Sequence, residues 1–254
     1  MEFLKLNNED GVAVVTIVRP PANAMSQQLV KEIAEALDQI EKDHSTRVVV
    51  IHGEGRFFSA GADIKEFLSV PNITAHVSEA QSIFERLETF EKPVIASIHG
   101  AALGGGLELA MSCHLRYVSK TAKLGLPELS LGLIPGFGGT QRLPRYVGSA
   151  KAAEMMFTSD PILGEEAVNW GLANASFEEE ELLGKTLDIA KKIALKSPIS
   201  LKATIDMLNF SKTDRFYTGI DEEAQAFGRV FATEDAKEGI TAFVEKRQAV
   251  FKGK

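Results

Sequence analysis

The sequence has little cysteine and no excess of positive charge. Cys113 is the single cysteine among 254 residues, so the chain cannot form an internal disulfide or depend on an oxidising compartment. Its apolar neighbours, such as Met111 and Leu115, indicate a buried core thiol rather than a nucleophile. The formal net charge of -7 disfavours a nucleic-acid surface, because phosphates need clustered cations. A small phosphorylated ligand is still allowed, since a few local cations suffice for it.

Long apolar runs and metal-ligand clusters are missing as well. The uncharged stretch Pro93–Leu107 has 15 residues and several glycines, which is too short and too interrupted for a membrane span. The first residues show no basic segment followed by an apolar one, so we expect a cytoplasmic protein. The histidines are His44, His52, His76, His99 and His114. They form no close pair at metal-binding spacing, so we expect no metal site.

Short strands and helices alternate through most of the chain. A β-branched run at Val12–Val18, a helix capped by Ser26 and an apolar run at Arg47–Ile51 predict a parallel strand–helix–strand crossover. The pattern continues with predicted strands at Val94–Ile98 and Leu115–Val118 and helices around Ile83–Phe90 and Gly105–Ser112. We predict an α/β core domain over residues 1–190. Residues 191–254 have helical periodicity and predict a C-terminal helical module that packs against another subunit.

Two glycine-rich segments are candidates for an oxyanion or anion site. In Gly100–Glu108, three consecutive glycines follow a buried strand and open a helix, which leaves free N–H groups at a positive dipole end. It is not a dinucleotide-binding fingerprint, because Leu109 stands where the last glycine belongs, and it lacks the lysine of a P-loop. Phe57–Lys65 also leaves its backbone open to a ligand. The alternative for that segment is an ordinary strand-to-helix turn capped by Asp63.

Two isolated glutamates lie in apolar surroundings. Glu108 is flanked by leucines, and Glu128 follows Pro127 in a segment that ends at Thr140, a predicted N-cap. For Glu108 the structural alternatives are a solvated helix face and an ion pair. Together they form the pair of carboxyls that general acid–base catalysis uses, because burial and mutual repulsion separate their pKa values.

At these residues the sequence resembles the crotonase, or enoyl-CoA hydratase/isomerase, family. The matching stretches are Phe57–Lys65 (FFSAGADIK), His99–Glu108 (HGAALGGGLE), Gly125–Pro144 (GLPELSLGLIPGFGGTQRLP) and Phe231–Lys252 (FATEDAKEGITAFVEKRQAVFK). They span the chain in the family's order. The resemblance implies an α/β fold, a spiral of ββα units with a helical C-terminal trimerisation module, assembled as a trimer or a dimer of trimers.

The resemblance also implies a chemistry. The backbone N–H groups of Ala62 and Gly105 would form the oxyanion hole, with Glu108 activating a water and Glu128 managing the α-proton. The residues implied in CoA binding are Ala22, Asp63, Ile64, Lys65, Phe243 and Lys246. The last two would act from a neighbouring subunit. The expected activity is hydration of 2-enoyl-CoA in acyl-CoA catabolism such as β-oxidation, with no cofactor beyond the CoA of the substrate. The alternatives are another crotonase reaction, such as isomerisation, and a non-catalytic acyl-CoA-binding protein.

Overall fold

The computed structural model describes residues 1–67, 70–212 and 216–254, and for residues 67, 216–221, 224 and 243 it describes the backbone alone. The strands are β1 (Leu4–Glu9), β2 (Val12–Ile17), β3 (Val48–Gly53), β4 (Val94–Ile98), β5 (Ala101–Leu103), β6 (Leu115–Ser119), β7 (Lys123–Gly125), β8 (Ile162–Leu163) and β9 (Ala175–Phe177). The helices are α1 (Gln27–Lys42), α2 (Ile64–Phe67), α3 (Ile73–Glu88), α4 (Gly105–Ser112), α5 (Gly139–Val147), α6 (Ser149–Thr158), α7 (Gly164–Asn169), α8 (Glu179–Ala194), α9 (Pro198–Phe210), α10 (Phe216–Phe231) and α11 (Glu234–Glu245), with a 3-10 helix at Glu128–Leu131.

The larger sheet has the strand order β1-β2-β3-β4-β6-β9. β1 and β2 pair antiparallel, whereas β2 and β3 are parallel and joined by α1, so the predicted crossover is confirmed. The predicted cap is also present, since the Leu29 amide donates to Ser26 Oγ at 3.2 Å. The apolar residues of β3 and β4 are buried, as expected for parallel strands covered on both faces.

A smaller sheet, β5-β7-β8, brings the two glycine-rich segments together. An isolated parallel bridge joins Ser59 to Ala102 of β5, just before α4 begins. Gly106 explains how α4 can approach so closely. A Cβ at this position would lie 2.3 Å from the carbonyl oxygen of Ser59, so only glycine fits. The segment around Ser59 and the start of α4 are therefore fixed side by side.

Cys113 lies in the core, as the sequence predicts. It is 2% exposed, and burial raises the pKa of its thiol to about 12. Such a thiol stays protonated and is a poor nucleophile. Within the described residues, the helices are all too short or too polar to cross a lipid bilayer.

The C-terminal region is helical, as predicted. The predicted division at residue 190 falls within α8, which runs continuously from Glu179 to Ala194. A boundary between a core domain and a C-terminal module stays a prediction. Several large apolar side chains of α9–α11 are exposed in the single chain: Leu208, Phe227, Phe231, Ile240 and Val244. Phe227 and Phe231 stack on each other with ring centroids 6.0 Å apart. Packing against another subunit would cover these side chains, and it too stays a prediction.

Candidate active site

Glu108 is held inside the protein by α4 and by a distant loop. Each residue of α4 is buried, and Glu108 itself is 1% exposed. Its Oε1 accepts hydrogen bonds from the amides of Phe137 at 2.8 Å and Gly139 at 2.7 Å. Burial raises the pKa of this carboxyl to about 7. The Gly139 hydrogen bond opposes the rise, the nearby Glu128 adds to it, and the Phe137 hydrogen bond and the Arg142 charge oppose it. Glu108 is thus poised to exchange a proton near neutral pH.

Glu128 approaches the same place from the 3-10 helix. It is the first residue of that helix, and burial raises its pKa as well. Its Oε2 is buried and has no hydrogen-bond partner among the described residues. Its Oε1 lies against Gly104, where a Cβ would be 2.8 Å away. The glycine, with φ +49°, therefore leaves room for the carboxylate beside the start of α4.

The amides of Ala62 and Gly105 lie next to each other. A Cβ on Gly105 would be 3.4 Å from the nitrogen of Ala62. The segment carrying Ala62 is pinned on both sides, because Met25 donates to the Gly61 carbonyl at 2.8 Å and Asp63 donates to the Met25 carbonyl at 3.0 Å. Gly105 opens α4, where amides lack an intrahelical acceptor. Within the described ranges neither amide donates to a protein group, so both are available to a ligand oxygen.

These groups line one cavity of about 630 Å³. Both glutamates, Ala62 and Gly105 face it, and it is large enough for a small-molecule ligand. The remaining wall is mostly apolar and includes Ile73, Val77, Leu131, Ile134 and Phe137. The structure thus brings together the four residues that the sequence selected for catalysis.

Four of the six residues expected to bind CoA lie in the first 65 residues of the chain. Ile64 lines the cavity, and the exposed Lys65 follows it. Asp63 forms an ion pair with Arg19, with Asp63 Oδ2 and Arg19 Nη2 at 2.6 Å. The hydrogen bond from Arg19 is the main reason why the pKa of Asp63 lies below its usual value. The Ala22 carbonyl accepts from the Ala60 amide at 2.9 Å, which anchors the segment before Ala62.

Phe243 and Lys246 belong to the C-terminal end of the chain. The side chain of Phe243 lies outside the described part of the structure. Lys246 is exposed just after α11, with φ +56°, and does not line the cavity of its own chain. Their contribution to a neighbouring subunit stays a prediction.

The sequence did not reveal what holds Glu108 in place. The loop Gly136–Gly139 supplies its two donors, and a Cβ on Gly139 would lie 2.9 Å from Glu108 Oε1. The consecutive glycines at positions 138 and 139 were therefore the sequence signal that a loop approaches the carboxyl group of Glu108 closely. The predicted N-cap at Thr140 is wrong. α5 begins at Gly139, and its N-cap is Gly138, whose φ of +101° is a conformation that glycine adopts easily.

The chain is similar to known proteins over nearly its whole length. The family model described as "Enoyl-CoA hydratase/isomerase" matches residues 7–254. A Bacillus subtilis protein named "Probable enoyl-CoA hydratase" is 51% identical over 257 residues, covering 100% of both chains. The "Short-chain-enoyl-CoA hydratase" of Clostridium acetobutylicum is 42% identical over 247 residues, covering 96% of this chain and 95% of the relative. The crystal structure of an enoyl-CoA hydratase from Bacillus anthracis matches with a TM-score of 0.94 and 37% identity, covering 99% of this chain and 100% of that one. The chain belongs to the enoyl-CoA hydratase/isomerase family and has its α/β fold.

Proposed function

We propose that this protein is an enoyl-CoA hydratase that adds water to a short-chain 2-enoyl-CoA and releases the 3-hydroxyacyl-CoA. The observation that carries the proposal is the pair of glutamates with raised pKa values, facing one cavity beside two amides that donate to no group of the described residues. The names of the relatives in Bacillus subtilis and Clostridium acetobutylicum support the same reaction. The word "short-chain" in the name of the Clostridium acetobutylicum relative supports a short acyl chain.

The amides of Ala62 and Gly105 would bind the thioester carbonyl oxygen. This oxygen gains negative charge when water adds to the β-carbon and an enolate forms. Two preorganised donors in a water-poor site stabilise that charge, and removing one such donor typically costs ~2.7–4 kcal/mol of transition-state stabilisation. Small residues suit both positions, because the contacts come from the backbone.

The two glutamates would handle the water. Glu108 takes a proton from the water as its oxygen bonds to the β-carbon, and Glu128 delivers a proton to the α-carbon. The β-carbon thus gains the hydroxyl of the water and the α-carbon gains a hydrogen from Glu128. The proton left on Glu108 then passes to Glu128, directly or through solvent, before the next turnover. The two hydrogen bonds on Glu108 Oε1 fix its direction. The carboxyls influence each other, so their protonation belongs to the pair.

No cofactor is required in this scheme, because CoA arrives as part of the substrate. Lys65 and Lys246 would pair with CoA phosphates, the second from a neighbouring subunit of a trimer or a dimer of trimers. The exposed apolar side chains of α9–α11 support such an assembly. Analytical ultracentrifugation tests it, and a monomer at micromolar concentration would contradict it.

The decisive assay follows the absorbance of the conjugated enoyl thioester after mixing with crotonyl-CoA. We expect the absorbance to fall as 3-hydroxybutyryl-CoA forms. A folded protein that binds crotonyl-CoA without consuming it would instead support a binding protein. Conversion of a 3-enoyl-CoA with no hydration of crotonyl-CoA would indicate an isomerase.

A further inference from the structure

Glu108 depends on one short loop for its orientation. The amides of Phe137 and Gly139 both donate to Glu108 Oε1. The orientation of the carboxylate therefore depends on how firmly residues 136–139 are held. What fixes this loop therefore determines the geometry of Glu108.

Arg142 also hydrogen-bonds to this loop, through the carbonyl groups of the loop. Its Nη1 donates to the Phe137 carbonyl at 2.9 Å, and its amide donates to the Gly138 carbonyl at 2.9 Å. Phe137 is thus held through its N–H by Glu108 and through its C=O by Arg142. Gly138 makes the approach possible, since a Cβ there would lie 2.2 Å from Arg142 Nη1.

Arg142 is itself held by a nearly buried ion pair. Its Nε and Nη2 lie 3.1 and 3.0 Å from Glu88 Oε2 at the end of α3, and the two side chains are 11% and 16% exposed. The other carboxylate oxygen of Glu88 pairs with Lys212 at 3.1 Å. Burial raises the pKa of Glu88, but the charges and hydrogen bonds of Arg142 and Lys212 outweigh it, so the net pKa is lowered and Glu88 stays ionised.

We propose that Arg142 is a positioning residue, which orients Glu108 by holding the Phe137 carbonyl and is itself fixed by Glu88. Its kinetic consequence rests on the proposed hydratase function, whereas its effect on the loop does not. Arg142 touches no reacting atom in this scheme. It acts through the backbone and through its charge, which lowers the proton affinity of Glu108.

The first test is hydrogen–deuterium exchange of the peptide containing residues 136–139. Arg142→Met should speed exchange at the Phe137 and Gly139 amides, because the loop loses its carbonyl anchor. Glu88→Gln should do the same to a smaller extent. If Arg142→Met does not fold, Glu88→Gln still tests the proposal, because it removes the ion pair that fixes Arg142. The matched control is Arg86→Met, which breaks another arginine–carboxylate cluster on α3, with Asp38 and Glu41. Unchanged exchange in both loop variants would overturn the proposal.

The second test is kinetic. We expect Arg142→Met to lower kcat for crotonyl-CoA by roughly 10- to 100-fold with little change in KM, as for a small misplacement of a catalytic group. Arg142→Lys should recover part of the rate, since lysine keeps the charge and one donor. Among the described residues, the charged groups acting on Glu108 are Glu128 and Arg142, so losing Arg142 should move the Glu108 limb of the pH–rate profile to higher pH. Lower stability with an unchanged kcat and pH profile would show a merely structural role and overturn the proposal. If the wild-type protein hydrates no enoyl-CoA, the proposed function fails, and the exchange experiment still decides the role of Arg142.

Discussion

The cavity has two unlike walls. On one side lies α4, in which each residue is buried and Glu108 has two backbone donors. On the other side lies the 3-10 helix with the loop after it, where Leu131 is 60% and Ile134 73% exposed and where Glu128 Oε2 is among the buried side-chain atoms without a partner in the described chain. The first wall is built to hold one group still. The second leaves apolar side chains and the carboxyl group of Glu128, whose Oε2 has no partner among the described residues, next to the space that a substrate would fill.

The largest expected effect tests whether both walls carry chemistry. Glu108→Gln and Glu128→Gln should each lower the rate of crotonyl-CoA hydration by roughly 10²–10⁴-fold, because each removes a proton-transferring group. Binding of crotonyl-CoA, measured by calorimetry, should persist. The matched control is Glu32→Gln. Glu32 is also 1% exposed and accepts from the Glu2 and Phe3 amides at 2.9 and 2.8 Å, but it does not line the cavity. A near wild-type rate in either cavity variant would remove that glutamate from the mechanism.

The second prediction concerns the free energy of unfolding. It compares Glu108 and Glu128, which are buried to different extents in the two walls. The pKa of Glu108 is raised from 4.5 to about 7, so the folded state favours its protonated form. Its contribution to stability is complete below pH 4.5 and is lost as the pH rises through about 7. Relative to wild type, Glu108→Gln should therefore gain stability across this window, reaching about 3 kcal/mol above it. Glu128→Gln should show the same sign and a smaller gain, since Glu128 is less buried.

Urea unfolding of the three proteins, from about pH 5 to about pH 8, measures this difference, because other carboxyls titrate alike in each. A stability difference that does not vary with pH would mean that Glu108 titrates like an exposed carboxyl. In that case burial on α4 would disfavour a charged carboxylate no more than the opposite wall does.

Much of the first wall could be predicted from the sequence. Three glycines after an apolar strand, and a glutamate between leucines, are local signals, and both the helix Gly105–Ser112 and the burial of Glu108 are confirmed. The N-cap at Ser26 could be predicted because it too is a local signal. These features depend on residues a few positions apart, where helix geometry fixes what can touch.

The partners of these groups were not readable, because they come from distant parts of the chain. The donors to Glu108 lie 29 and 31 residues away, and Arg19 reaches Asp63 across 44 residues. Such contacts depend on how α4, α5 and the strand ends meet in space. The error at Thr140 has the same origin: the chain turns at Gly138 to bring the Gly139 amide to Glu108, and the helix starts there.

The third prediction compares one glycine from each wall. Gly106→Ala places a Cβ 2.3 Å from the Ser59 carbonyl, which is backbone and cannot move cheaply. We expect a loss of about 3 kcal/mol in the free energy of unfolding, at the upper end for overpacked sites, because the clash is with backbone. Gly132→Ala, in the loop after the 3-10 helix, meets nothing within 4 Å but has φ +70°. It should cost about 1 kcal/mol from backbone strain alone. Equal losses would contradict the contrast in packing.

The smallest effect concerns the exposed wall and the acyl chain. Ile134 and Leu131 line the cavity with most of their surface open, so they can contact a substrate while contributing little to the core. Ile134→Ala and Leu131→Ala should leave kcat for crotonyl-CoA within about threefold of wild type, because loss of a few methylenes from a half-open surface costs little. For enoyl-CoAs of increasing chain length, kcat/KM should fall more with each added carbon than it does in the wild type. Leu195→Ala, just after α8, is the control, since its side chain is 55% exposed and does not line this cavity. If both cavity variants lowered kcat for crotonyl-CoA as strongly as Glu128→Gln, the exposed wall would position the catalytic carboxylate rather than select the acyl chain.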